Sequence, residues 1–167
     1  MTAQFHEKLI LDGEETSMAF CPPLPDNYSG LRYLSDEEVR EDIKKDDSIS
    51  PIVFSTACWR GYIATWEIRD NRFYLVDIKG RFRKTGEKPI LADWFSGVLR
   101  VPRGTMLQYV HMGFGSVFEQ EIHIKIEKGV VVRSRVVDNR GKQMDAGDLT
   151  ERNLPGRENR FDGDEAL

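Results

Sequence analysis

Two stretches hold the residues best equipped for chemistry: Ala92-Asp93-Trp94-Phe95-Ser96-Gly97, and Tyr109 to Glu119 with Gly113 and Gly115 flanking Phe114. A bend at those glycines would set His111 against Glu119, with Asp93 nearby. That grouping suits hydrolysis or group transfer, with His111 as general base and Glu119 or Asp93 as its orienting acid. No nucleophile motif accompanies His111, so the plainer expectation is a β-bulge holding a hydrogen-bonded histidine.

Cys58-Trp59-Arg60-Gly61 sets a thiol beside a cation. A guanidinium lowers a thiol pKa and makes a nucleophile, although a buried, inert cysteine is the commoner fate of a free one. Cys21 and Cys58 form no CxxC, and His6, His111 and His123 are scattered. Neither a disulfide framework nor a metal site is signalled. Gly113-Phe114-Gly115 opens no helix, so it is not a phosphate loop. No metal and no cofactor are expected.

The loop Lys79 to Lys88 is dense in cations around one ring: Arg81, Phe82, Arg83 and Lys84 could grip phosphates and stack on a base. The competing reading is a loop that meets the acidic N-terminal part of its own chain. A net charge of −4 places nucleic-acid binding behind the other readings. Charge is segregated along the 167 residues. Residues 1–50 carry 5 basic and 12 acidic side chains, 51–141 carry 15 and 9, and 142–167 carry 4 and 7. Such segments either pair with each other or present a charged surface to a partner.

The elements that position these residues are mainly strands. From Pro51 the hydrophobic period becomes two, and a meander over 51–137 is expected. A two-residue turn at Asp70-Asn71 pairs Ile68 with Phe73, Trp66 with Leu75 and Ala64 with Asp77. Tyr62, Ala64, Trp66, Ile68, Phe73 and Leu75 then form a core face on which Asp77 is the anomaly. Around Glu127-Lys128-Gly129 a three-residue loop pairs Ile126 with Val130, Ile124 with Val132, Glu121 with Arg135 and His123 with Arg133. Trp94 to Val101 and Met106 to Met112 are expected to pair about a turn at Pro102-Arg103-Gly104. Lys8 to Leu11 adds a further strand.

Residues 21–34 are too rich in proline and turn formers for an element. Ser35 followed by Glu38 predicts a short helix over about 36–45. The expected fold is therefore mainly β with one short helix. It is an antiparallel meander of about six to eight strands, a sandwich or partly open barrel, in one domain over 1–137. A flexible acidic tail over 138–167 follows, too poor in apolar side chains to order itself. No uninterrupted apolar run exceeds four residues, so no membrane span is expected and the cytoplasm is the expected location.

These features favour a small cytosolic protein-binding module, of the immunity or regulatory kind that neutralises a partner protein. The outer hairpin face, with Glu67, Arg69, Arg72 and Tyr74, and the loop Arg81, Phe82, Arg83 and Lys84 form its expected contact surface. The alternative is a small hydrolase or transferase using His111 with Glu119 and Asp93. Nucleic-acid binding through 79–88 comes third.

Overall fold

A computed structural model of the chain describes residues 4–28, 30–108 and 116–141. It is mainly β, with 52% strand and 14% helix. The first hairpin joins β1 (Glu7–Leu11) to β2 (Glu14–Met18) through Asp12-Gly13, both at positive φ, 53° and 82°. Such a turn matches the natural twist of paired strands. β1 also pairs with β4 (Tyr62–Arg69), and does so in parallel, Leu9 opposite Trp66. The large sheet is thus mixed rather than wholly antiparallel.

β4 and β5 (Arg72–Gly80) meet at Asp70-Asn71, with Ile68 opposite Phe73 and Trp66 opposite Leu75 as the alternation predicts. The expected pairing of Ala64 with Asp77 is corrected. A bulge between Thr65 and Trp66 leaves Val76 extra, so Ala64 faces Ile78 and Thr65 faces Asp77. One inserted residue reverses which face the following side chains point to. Ile78 therefore enters the core and Asp77 turns to solvent.

Two helices precede this hairpin. In α1 (Asp36–Lys45) Ser35 and Glu38 form the reciprocal capping box the sequence predicts, and Val39 is buried. Strand pairing was expected from Pro51, but Ile49–Phe54 form a second helix, α2, that buries Ile49 and Ile52. Pro51 lies in its first turn, where a missing amide hydrogen breaks no helical bond. β3 (Leu31–Tyr33) pairs with β6 (Phe82–Lys84) in a small separate sheet, and β7 (Ile90–Leu91) adds to β5.

The last strands differ from expectation in two places. β8 (Gly97–Gln108) runs straight through Pro102-Arg103-Gly104 and pairs with β9 (Val117–Glu127), so no reversal occurs there. Register shifts between Arg103, Met106 and Gln108 absorb the irregular residues instead. β9 turns into β10 (Val130–Asp138) through two residues, not three. Lys128 and Gly129 both take positive φ, 48° and 78°, and a bulge between Val131 and Arg133 then sets Ile124 opposite Ser134 and His123 opposite Arg135. That bulge supplies the register change for which the longer loop was invoked.

The large sheet has the order β2-β1-β4-β5-β10-β9-β8. It is not closed into a barrel. β10 touches β5 at the hairpin tips, Val130 opposite Arg72, while the Ala19 amide, just past β2, donates to the Arg100 carbonyl of β8 (2.7 Å). The enclosed face holds Leu9, Met18, Trp66, Phe73, Leu75, Leu99 and Ile126, all fully buried. Trp66 stacks on Phe73 with ring centres 4.9 Å apart. Among the described residues no helix is long and apolar enough to cross a membrane. Of the tail, 142–167 lies outside the described residues.

Candidate functional site

Strand alternation puts Glu7, Leu9 and Leu11 on one face of β1, so a carboxylate shares the side that faces the core. Glu7 is fully buried. Its carboxylate accepts the Ala64 amide at 2.7 Å and forms an ion pair with Arg60 Nη2 at 3.1 Å. The Cys21 thiol lies 3.7 Å away. The same Nη2 donates to the Phe5 carbonyl at 2.9 Å, and the guanidinium carbon sits 5.7 Å from the Tyr62 ring centre. Gly61, at φ +72°, turns the chain from Arg60 into β4. Tyr62 completes the group, its hydroxyl 3.6 Å from Cys21 Sγ and its carbonyl accepting the Cys58 thiol at 3.3 Å.

Burial dominates the protonation of this cluster. It raises the Glu7 carboxyl above its ordinary range, against the pull of Arg60 and the Ala64 amide. It pushes Cys21 up to about 12, with the Glu7 charge adding to the effect. The Cys58 thiol is raised by burial, with Arg60 opposing, and the Tyr62 phenol is raised by burial and by Cys21. Both thiols therefore remain protonated at neutral pH and are poor nucleophiles. Arg60 serves Glu7 rather than activating Cys58. His6, beside this group, is lowered to about 4 by burial, then by Arg100 and Arg60.

Above the cluster opens a cleft of about 450 Å³ at the mouth of the sheet. Arg60 and Tyr62 line it with Phe82 and Tyr33, and Leu24 and Asp26 come from the proline-rich loop. That loop is tied down by the Trp94 indole, which donates to the Pro23 carbonyl at 2.8 Å. Phe82 meets Tyr33 edge to face at 5.3 Å and Tyr62 at 5.6 Å. Arg81 lies over the Tyr33 ring at 5.9 Å and pairs with Asp36 at 2.7 Å.

The residues singled out from sequence are distributed differently. His111 lies outside the described residues. Asp93 is exposed beside the β9–β10 turn, its amide nitrogen 3.1 Å from where a Cβ on Gly129 would stand. Glu119 is at the other end of β9, where its carbonyl accepts the Asn139 amide at 2.8 Å and its side chain crosses Gly104. Eight residues of strand, about 26 Å at ~3.3 Å each, separate the two ends. Asp93 and Glu119 therefore do not share a site, and a triad with both is not assembled.

Glu67, Arg69, Arg72 and Tyr74 do lie together on the outer face of β4 and β5, Glu67 opposite Tyr74 and Arg69 opposite Arg72. Arg69 covers the Tyr74 ring at 5.3 Å. The basic loop meets the acids of its own chain. Arg81 pairs with Asp36, Arg83 with Asp42 at 2.7 Å and Lys79 with Asp46 at 2.9 Å. Phe82 is buried, so its ring is not offered to a base. Lys84 donates to the Val76 and Lys88 carbonyls.

Glu7 went unread, since the strand was expected from Lys8; its phase with Leu9 and Leu11 is the signal that could have found it, whereas its pairing with Arg60, 53 residues on, has no local signal. A second buried pair, His123 Nε2 with Glu121 Oε2 at 3.0 Å, also went unforeseen. Among the described residues no three His, Cys, Asp or Glu side chains gather where they could hold a metal. No protein family, no curated protein and no solved structure matches this chain.

Proposed function

We propose that this chain is a protein-binding module of the regulatory or neutralising kind, and that its recognition surface is the mouth of the sheet. The observation that carries the reading is the exposure of three large aromatic side chains: Phe54 is 66% exposed, Tyr33 61% and Trp59 56%. Tyr33 stands on the cleft wall, while Phe54 and Trp59 belong to the segment that ends at Arg60. The core uses Trp66, Phe73, Phe82 and Phe95, so leaving a Trp, a Tyr and a Phe in water runs against burial unless they meet a partner. Trp and Tyr set beside Arg are the side chains that most often dominate binding energy. The Arg69–Tyr74 face lies toward the other end of the β4–β5 hairpin from Tyr62 and is a separate exposed surface. Two free cysteines held as thiols fit the cytosol as the place of action.

The test is affinity capture with the full chain, with Tyr33→Ser/Trp59→Ser, and with Val132→Ser, which alters an exposed valine on β10. A protein retained in stoichiometric amount by wild type and Val132→Ser, and lost from the double variant while its melting curve is unchanged, supports the reading. Equal retention by all three, or by none, contradicts it.

A further inference from the structure

The floor of the mouth cleft combines a buried ion pair with an aromatic wall. Removing Glu7 and Arg60 from water is unfavourable, and an apolar pair of the same size usually leaves a fold at least as stable. What the pair achieves is position: Arg60 Nη2 is fixed by the Phe5 carbonyl and by Glu7, and the guanidinium lies over the Tyr62 ring. Arg81 is fixed similarly over Tyr33 by Asp36. Two guanidinium groups therefore border the rings of Tyr33, Tyr62 and Phe82. Neither counter-charge lines the cleft: Glu7 is fully buried, and Asp36 is exposed to water on α1. Asp26 also lines the cleft but is exposed, where water and salt screen it.

A cationic ligand would meet tyrosine faces that already hold cations, so this wall is not an ammonium cage. The arrangement fits a negative group at Arg60 joined to a flat body against the exposed ring of Tyr33. A volume of about 450 Å³ accommodates a ring and its carboxylate. We propose that the cleft binds a carboxylate carried on an aromatic group, supplied either by a free acid or by the C-terminal residue of a partner protein. The second source rests on the protein-binding reading; the first does not.

The experiment follows backbone amides of the full chain by NMR during titration with benzoate, with its neutral isostere benzamide, and with acetyl-Gly-Gly-Phe as free acid and as amide. Saturable shifts at Arg60, Tyr62 and Phe82, with each acid at least roughly tenfold tighter than its amide, are the expected result. Response to benzoate alone assigns the free acid as source, and response to the peptide acid alone assigns a partner's terminus. Arg60→Gln by itself would strand Glu7, so Glu7→Gln/Arg60→Gln removes both charges together. That variant should melt cooperatively and lose the preference for acid over amide. No saturable response to either acid, equal binding of acid and amide, or a preference that survives the double variant overturns the proposal. A partner lost from Tyr33→Ser/Trp59→Ser alongside equal binding of acid and amide would overturn the carboxylate site and leave the protein-binding reading intact.

Discussion

Replacing Arg60 by methionine keeps most of the side-chain stem and removes the charge that faces Glu7. Glu7 is fully buried, and Arg60's side chain is only 12% exposed, so little water is available to take over. Removing one member of a buried pair costs about 3–5 kcal/mol. Glu7 has an escape, because it can take up a proton. From an ordinary pKa of 4.5, protonation at pH 7 limits the loss to about 3.4 kcal/mol, at about 1.36 kcal/mol for each of roughly 2.5 units. The expected deficit at pH 7 is thus about 3 kcal/mol, or a fall in Tm of about 10 °C.

The pH dependence has a definite sign. In the variant the folded carboxyl titrates above its unfolded value, so the folded state holds one proton more than the unfolded state between pH 4.5 and 7. Burial already raises Glu7 in the wild type, so the deficit should shrink as pH falls, by at most about 1.4 kcal/mol for each unit, only while the wild-type carboxylate remains ionised. Urea unfolding of wild type and Arg60→Met at pH 7 and pH 5, followed by tryptophan fluorescence, reads both quantities. A deficit below about 1 kcal/mol at pH 7, or one that grows as the pH falls to 5, would refute the buried-pair reasoning. Glu7→Met/Arg60→Met should recover most of the loss.

Three further expectations concern groups around that pair and beyond it. His6 is lowered from 6.5 to about 4, so the stability its neutral form contributes should be present above pH 6.5 and decline by on the order of 2 kcal/mol as pH falls to 4.5; His6→Gln should flatten that part of the unfolding curve. Iodoacetamide at pH 7.5 should label neither cysteine of the native protein while labelling both in urea, and rapid native labelling would contradict the raised thiol pKa values. Gly80→Ala should destabilise by at least about 2 kcal/mol, because Gly80 is at φ +114° and a Cβ would strike the Gly61 carbonyl. Gly13→Ala, at φ +82° with open space around it, should cost about 1 kcal/mol, and equal losses in urea unfolding would deny the close approach at Gly80.

What the sequence disclosed was local. Ser35 and Glu38 announced α1 because a capping box is complete within four residues, and Asp70-Asn71 announced its hairpin because turn chemistry is equally short-range. Bulges escaped, since one extra residue at Val76 or Val132 leaves the composition unchanged and alters which partner each later residue meets. Without its bulge, a two-residue loop at Lys128-Gly129 would set Ile122 and Ile124 against arginines, so alternation favours the longer loop. Pro102-Arg103-Gly104 has the composition of a turn, yet pairing along β9 extends β8 through it. The parallel β1–β4 contact and the Glu7–Arg60 pair join residues more than fifty positions apart, and no local pattern encodes such a meeting. Of the candidate site, the Cys58–Arg60 stretch was identified from sequence, with a buried, inert thiol as its commoner fate, and Cys58 is indeed buried; the acid that claims Arg60 lies in β1 and was not foreseen.

The proposed recognition surface is tested directly by placing a photo-crosslinking benzoylphenylalanine at position 59, at 72 on the outer hairpin face, or at 132 on β10, and irradiating each full-length protein in lysate. A discrete crosslinked species from position 59, absent from 132, is the predicted result. Crosslinking from 132 with none from 59, or none from any position, would contradict a partner bound at the mouth of the sheet.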